Sequence, residues 1–453
     1  MKMPIVEMLN KYARSNALRL HMPGHKGKGM KVSAKMDVTE LSFSDNLACP
    51  HSVIAASQNL FAAEWNANHS IYIVNGSTAG IFAMVANANG SILMQRSSHI
   101  SVYNAVKIFN KRAYVINDYD ESLLPNNLTA DALINATKEN PDIKTWILTS
   151  PSYYGKVLDL ADIYHEAKKM GVTVFVDSAH GAHFGLSKYL PNPAHHYADA
   201  AVISVHKTLP AYTQTAVLLT NDDILALKLK ESLNTFSTTS PSYLLLASID
   251  YARAYAYKNK NKYEKLFNCV QKFLSALPDG ITAVPSDDFT RIVLDVSGKN
   301  MSGFEAEKQL NENNVFIEFA DKNRLVAILT LMDGRKTLRR FGKALKNLKP
   351  NTNERNTEND YIECSKGKNA VNGDEIPRFD NIIPLCFNDK VKLIKLSESK
   401  GEISAVNAGI TPPCCPVIVA GEKITDFHIN FLKQDNVFGV NEGYILVKDS
   451  EKK

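Results

Sequence analysis

The residues with the most chemical content stand directly after apolar runs of the chain. The run 173–176 is followed by Asp177-Ser178-Ala179-His180-Gly181-Ala182-His183, and the run 200–205 leads into Ser204-Val205-His206-Lys207. A carboxylate that ends a buried strand is costly unless it meets a cation, which here is either a metal shared with the nearby histidines or a protonated ring nitrogen. A lysine in the same situation is desolvated, used covalently, or extended so that its amine reaches solvent. Asn75-Gly76-Ser77-Thr78-Ala79-Gly80 is a small-residue turn into a helix; it reads as an ordinary turn or as a cradle of free N–H groups and hydroxyls that suits a phosphate. Gln95-Arg96-Ser97-Ser98-His99 and Thr149-Ser150-Pro151-Ser152-Tyr153-Tyr154-Gly155 follow two further runs.

The elements that must hold these groups are legible from periodicity. Short β-branched or apolar runs at 71–74, 91–94, 113–116, 145–148, 173–176, 200–205 and 216–220 predict seven buried strands. Helical patterns at 129–139 and 160–170 fall between them, so strand and helix alternate and the sheet is mostly parallel. In such open sheets ligands bind beyond the carboxyl ends of the strands, where the polar groups collect. Amphipathic helices at 244–257 and 262–277 leave this unit. A second α/β unit follows, with strands near 291–296, 315–319 and 325–331 and helices at 303–311 and 336–348. Residues 349–380 are polar and read as a linker or surface loop, and 391–448 carries enough apolar residues to pack back on the second unit. The division expected is an N-terminal segment contributing to the active site (1–55), a large domain (56–277) and a smaller C-terminal domain (278–453).

Composition agrees with a globular chain of more than one domain. At 453 residues it exceeds the roughly 250–300 at which one core stops growing, with 45% hydrophobic and 22% charged residues. The net charge of +5 is spread along the chain, which argues against nucleic-acid binding. No stretch approaches the roughly 18 apolar residues of a membrane span, so a cytoplasmic protein away from membranes is expected. The six cysteines, Cys49, Cys269, Cys364, Cys386, Cys414 and Cys415, form no CxxC pair and read as reduced structural thiols.

What the separate groups leave open, their order narrows. A phosphate turn, an aromatic stacker, an aspartate and then a lysine thirty positions later, each at a strand end, is the arrangement that pyridoxal 5′-phosphate (PLP) chemistry needs. No metal is assigned. The chain also resembles the Orn/Lys/Arg decarboxylases of the aspartate-aminotransferase-like PLP fold, through Leu20-His21-Met22-Pro23-Gly24-His25-Lys26-Gly27, Asp37-Val38-Thr39-Glu40-Leu41, Asp45-Asn46-Leu47 and Val74-Asn75-Gly76-Ser77-Thr78. The resemblance continues through the segments 149–155, 177–183 and 204–210 and Thr238-Thr239-Ser240-Pro241-Ser242-Tyr243.

The resemblance implies that Lys207 is the Schiff-base lysine, Asp177 the partner of the pyridine nitrogen and His99 the stacked imidazole. Gly76, Ser77, Thr78, Ser204 and His206 would hold the phosphate, Ala179 would underlie the ring, and His180 would belong to the same cofactor site. Thr238, Thr239 and Ser240 would reach a neighbouring subunit, which implies a homodimer. Lys207 or His206 would return a proton to the substrate. Glu40 and Asp45, by analogy alone, would meet a basic substrate or else cap helices and pair ions, and Tyr154 would border the ring or substrate. The implied reaction removes carbon dioxide from lysine, arginine or ornithine, giving a diamine or agmatine. Transamination, aldol cleavage or β-elimination on the same scaffold, or PLP binding with little catalysis, are the alternatives. Arg291, which could pass for a carboxylate-binding arginine, reads as structural.

The chain departs from the family in three places. Only about twenty residues precede the His-Met-Pro-Gly-His-Lys motif, which implies a short form without the N-terminal wing domain. Ser178 stands where many relatives have glutamate. Thr411-Pro412-Pro413-Cys414-Cys415-Pro416 replaces Tyr-Pro-Pro-Gly-Ile-Pro, which bears on substrate identity if that loop borders the entrance.

Overall fold

The computed structural model describes residues 3–120, 124–125, 127–350, 382–387, 390–411, 414–433 and 436–449. The chain opens with helix α1 (Pro4–Arg14), strand β1 (Leu18–Leu20) and helix α2 (Val53–Trp65). Strand and helix then alternate through β2 (His69–Ile73), α3 (Ser77–Ala86), β3 (Ser91–Gln95), α4 (Ile100–Ile108), β4 (Ala113–Ile116), α5 (Ala130–Glu139), β5 (Ile143–Thr149), α6 (Leu160–Lys169) and β6 (Thr173–Asp177). β7 (Ala200–Ile203), the short turn of helix α7 (Val205–Thr208) and β8 (Ala216–Thr220) complete this layer.

All seven expected strands are present. β4, β3, β5, β6 and β7 run parallel, and β8 is antiparallel to both β7 and β2. Residues of β3, β4 and β6 to β8 are almost wholly buried on both faces, as a sheet covered by helices requires. Each fully buried Val, Leu or Ile there contributes roughly 1.5–3 kcal/mol. The helices start where their caps allow: Thr129 and Asp159 accept hydrogen bonds from the N–H groups three residues on.

Helices α8 (Asp223–Phe236), α9 (Tyr243–Lys258) and α10 (Lys262–Leu274) lead to a second sheet. Its strands are β9 (Thr282–Ala283) and β10 (Arg291–Asp295), then, after helix α11 (Gly303–Glu312) and strand β11 (Val315–Ile317), β12 (Phe319–Ala320) and β13 (Arg324–Ile328). Its order is β12-β13-β10-β9 and every pairing is antiparallel. The run expected as one strand over 315–319 is split at Glu318, because β11 pairs in parallel with β1 while β12 pairs with β13. Helix α12 (Arg335–Lys346) packs behind it.

Two features differ from expectation. The large sheet has an eighth strand, β14 (Ile382–Pro384), antiparallel to β4. The last piece, expected on the second unit, is instead anchored to the large one. It consists of β15 (Val391–Lys395), β16 (Ala408–Ile410), β17 (Cys415–Ile418), helix α13 (Asp426–Phe431), β18 (Val437–Phe438), β19 (Val440–Asn441) and β20 (Tyr444–Lys448), in two three-stranded sheets around their own core of Leu396, Ile418, Ile424, Ile445 and Val447. Arg96, at the end of β3, donates to Glu422 Oε2 at 2.6 Å and to the Val417 carbonyl at 2.9 Å, and Val419 joins the apolar cluster of the large sheet. A buried guanidinium needs such partners, so Arg96 is one of the contacts that anchor the last unit to the large sheet. The expected loop at 349–380 lies, from 351 onward, outside the described residues, as does Cys364; the other five cysteines are free. Among the described residues no helix is long and apolar enough to cross a membrane.

Candidate active site

Because β6 and β7 are neighbouring parallel strands, their carboxyl ends deliver Asp177 and the α7 turn to the same crevice. Asp177 is buried, and among the described residues the only hydrogen bond to its carboxylate comes from the Ala179 N–H at 3.0 Å. Burial raises its pKa above the usual carboxylate range, opposed by the Lys207 amine and that N–H. Such an under-partnered carboxylate has room for a cation. Lys207 is not on the strand itself: Ser204 ends β7 and the chain turns helically, which aims the amine back over the sheet end. Burial lowers its pKa, with Asp177 and Glu318 opposing and Arg291 reinforcing.

The amine meets His180, whose Nε2 lies 3.0 Å from Lys207 Nζ. On the other side of the ring, Nη2 of Arg291 stands 2.7 Å from His180 Nδ1. Nε and Nη1 of Arg291 are buried with no hydrogen-bond partner among the described residues. The edge of Tyr153 packs on His180 with centroids 4.9 Å apart. Burial, then the charges of Lys207 and Arg291, hold His180 well below the usual histidine range.

At the opposite end of the crevice α3 begins at Gly76, with φ +85° and no side-chain cap, so its first N–H groups point outward. Ser77 Oγ and Ser204 Oγ are 2.9 Å apart at this helix head, and Thr78 is exposed beside them. Dipole, amides and hydroxyls together fit a phosphate. His99 heads α4, with its Nδ1 turned to Ser101; burial, and secondarily Lys207, push its pKa down to about 4. His206 Nδ1 donates to the Thr215 carbonyl at 2.9 Å, and burial likewise pushes its pKa down to about 4. The uncapped helix head with its hydroxyls, the His99 imidazole, the lone buried carboxylate and the buried amine fit the cofactor the sequence suggested.

The other candidates divide. Thr238, Thr239 and Ser240 are exposed, two residues and more beyond Phe236, whose carbonyl accepts from Asn75 Nδ2 at 3.0 Å. Asp45 is spent on structure: its carboxylate accepts from the N–H groups of Asn46, His51, Ser52 and Ile54. Burial would raise its pKa, yet those N–H groups outweigh it and hold Asp45 well below the usual range. Glu40 accepts from its neighbour Thr39 at 2.5 Å. Tyr154 turns to Asp321 at 2.8 Å, and Tyr153 is the tyrosine that touches the site.

Glu318 is the group that sequence reasoning missed. It sits in the break between β11 and β12, accepts from Tyr153 Oη at 2.5 Å and from the Met22 N–H at 2.8 Å, and lines an open cleft of about 500 Å³ with Tyr12, His21 and Phe316. The signal was present: a carboxylate inside the apolar run Val315-Phe316-Ile317-Glu318-Phe319-Ala320. The N-terminal motif closes this side, since the Gly24 N–H donates to the His206 carbonyl at 2.7 Å. The Cys414–Cys415 loop closes another: the Ile100 N–H bonds the Cys414 carbonyl at 2.8 Å and Cys415 Sγ lies 3.0 Å from the Ser97 carbonyl. That loop therefore does border the site; Pro412 and Pro413 lie outside the described residues.

The fold is that of the PLP-dependent, aspartate-aminotransferase-like class. The chain belongs to the Orn/Lys/Arg decarboxylase family, whose major-domain profile matches residues 3–277; it is a PLP-dependent decarboxylase. It is 30% identical to the Bacillus subtilis (strain 168) protein named uncharacterized protein YaaO, over 94% of this chain and 92% of that one. It is 29% identical to the arginine decarboxylase of the same organism, over 95% and 92%. The lysine decarboxylase LdcF of Francisella novicida shares the fold with a TM-score of 0.67 at 16% identity, covering 98% of this chain and 81% of that one.

Proposed function

We propose that this chain decarboxylates arginine, giving agmatine and carbon dioxide, with PLP held at Lys207. The observation that carries the cofactor assignment is the convergence of Lys207, Asp177 and the Gly76–Ser77–Ser204 cradle at adjoining strand ends. The choice of arginine rests on the relative named arginine decarboxylase that matches nearly the whole chain. When bound, PLP supplies an electron sink for the pair released as the Cα–carboxylate bond breaks.

The chain's own residues have separable tasks. Ser77, Thr78, Ser204 and the amides of α3 hold the phosphate, with Gly76 leaving room for it. Lys207 Nζ would hold the coenzyme through its aldehyde, and Ala179 would lie beneath it. Asp177 keeps the pyridine nitrogen protonated, a role in which burial strengthens each charge contact. His99, neutral at pH 7, offers an uncharged face for stacking. Lys207 or His206 would hold the proton destined for Cα. Glu318, whose two hydrogen bonds come from neutral donors, is the carboxylate available to the substrate's distal cation.

A homodimer belongs to the same proposal. Ile5, Met8 and Leu9 of α1, with Leu41, Phe43 and Leu60, are exposed apolar residues that a second copy would cover, and exposed Thr238 to Ser240 would then serve that copy's phosphate.

The test combines PLP, the purified chain and Lys207→Ala. An absorption band near the visible edge that the variant lacks, with carbon dioxide released from arginine, supports the reading. Release only from lysine or ornithine changes the substrate. A band with an oxo acid or no product points to another PLP reaction, and no band removes the cofactor assignment.

A further inference from the structure

The hydrogen-bond chain Arg291–His180–Lys207 contains one residue that can only donate. A guanidinium has N–H donors, no acceptor, and stays charged in proteins. His180 Nδ1, 2.7 Å from Arg291 Nη2, must therefore offer its lone pair. With Nδ1 as acceptor, the neutral ring carries its proton on Nε2. That N–H points at Lys207 Nζ, 3.0 Å away. An ammonium there would place N–H against N–H, whereas a neutral amine accepts.

We propose that Arg291 and His180 are positioning residues that fix one imidazole tautomer and thereby hold the unoccupied Lys207 side chain as a neutral amine.

The charges around Lys207 do not settle its state by themselves. Asp177 at the end of β6 and Glu318 after β11 favour the ammonium, as does any thiolate character at Cys414 in the C-terminal loop. Arg291 at the start of β10 favours the amine, whereas His99 at the head of α4, His206 in α7 and His180, all held neutral by burial, add no charge near pH 7. The tautomer breaks this balance through a directional contact. The consequence concerns a step that the family's reaction repeats each turnover: the amine must attack a carbon whenever it takes back the coenzyme. An ordinary lysine is neutral at pH 7 in on the order of one molecule per few thousand, so a lock of this kind raises the nucleophilic fraction directly. It also gives Arg291 a task other than holding substrate carboxylate through Nη2.

The inference rests on reading Lys207 as the coenzyme-holding amine, but its test does not, because it is read on the full-length chain freed of coenzyme and without substrate. Histidine labelled with nitrogen-15 reports the tautomer, and His180→Asn assigns the signal. The pH midpoint of Lys207 acylation by acetic anhydride, followed by mass spectrometry, reports the amine. The expected result is an Nε2–H ring in the parent chain and an acylation midpoint well below that of exposed lysines. Arg291→Met and Arg291→Gln both remove the charge, and only glutamine keeps an N–H for Nδ1. The tautomer should thus persist in Arg291→Gln and be lost in Arg291→Met, with the midpoint about one pH unit higher in the Met variant than in the Gln variant. An Nδ1–H or doubly protonated His180 in the parent chain overturns the proposal, whether or not the variants fold. Equal midpoints in two folded variants overturn it as well.

Discussion

Tyr153 Oη donates to Glu318 Oε1 across 2.5 Å, joining the loop after β5 to the break between β11 and β12. This bond and the Met22 N–H hold the carboxylate at the edge of the cleft without neutralising it. Glu318→Gln keeps the shape and removes the charge. The KM for arginine should rise by roughly 10- to 100-fold, the equivalent of losing one charge-assisted contact, with a smaller change in kcat. Steady-state kinetics with trapped carbon dioxide give both constants; an unchanged KM would take substrate recognition away from Glu318.

Asp177→Asn replaces the charge proposed to face the pyridine nitrogen and leaves the proposed phosphate-holding groups intact. Coenzyme should still bind, seen as retained absorbance after gel filtration, while kcat drops by at least about 10²-fold. Full activity in a coenzyme-loaded Asn variant would contradict the role given to this carboxylate.

Gly24 passes so close to the Lys207 segment that an added Cβ would stand 2.6 Å from the Leu209 carbonyl oxygen and 2.9 Å from the Thr208 carbonyl carbon. Backbone cannot yield as a flexible side chain would. Gly24→Ala should cost about 1–3 kcal/mol in urea unfolding and weaken coenzyme binding together with it. A variant as stable as the parent would show that the N-terminal motif is not seated against the lysine turn.

The Arg96–Glu422 pair is the buried polar link between β3 and the last unit. Glu422→Leu leaves the guanidinium buried without its carboxylate and should destabilise by about 3 kcal/mol or more. Limited proteolysis should then cut first within 390–449, because the anchor of that unit is lost. Unchanged urea and protease profiles would mean that the apolar contacts of β14 and Val419 suffice.

His195 and His428, both buried and away from Lys207, are pushed down to about 4 by burial, which favours the neutral ring in the folded chain. Their unfolded values lie near 6.5, so between those limits the unfolded state binds more protons. Their contribution is complete above about pH 6.5 and is lost as the pH falls through about 4, each adding a slope of up to about 1.4 kcal/mol per pH unit. His428 is the third residue of a capping box with Thr425. Glutamine at that position caps without titrating, so His428→Gln should flatten the pH dependence of the urea midpoint by up to one proton. An equally steep dependence would remove His428 from the account.

How far the sequence reached can be seen at single residues. The seven strands were legible because short β-branched runs between helical patterns leave little choice of period, and the places of Asp177 and Lys207 followed from their standing where those runs end. β14 was not legible: three residues carry no period, and its partner β4 lies more than 260 positions earlier. Asp45 had two readings with identical local sequence, and only the turn that brings the N–H groups of His51, Ser52 and Ile54 onto one carboxylate chose between them.

By itself the sequence determined what depends on local order: the alternation of strand and helix, and the standing of its candidate cofactor residues at or just beyond strand ends. Tertiary structure decided what depends on pairing between distant segments. β10 carries Arg291 to His180, the β1–β11 pair brings Met22 to Glu318, and Arg96 draws the last unit onto the large sheet. The reason is physical: periodicity records which face of an element is buried, but not which other element buries it.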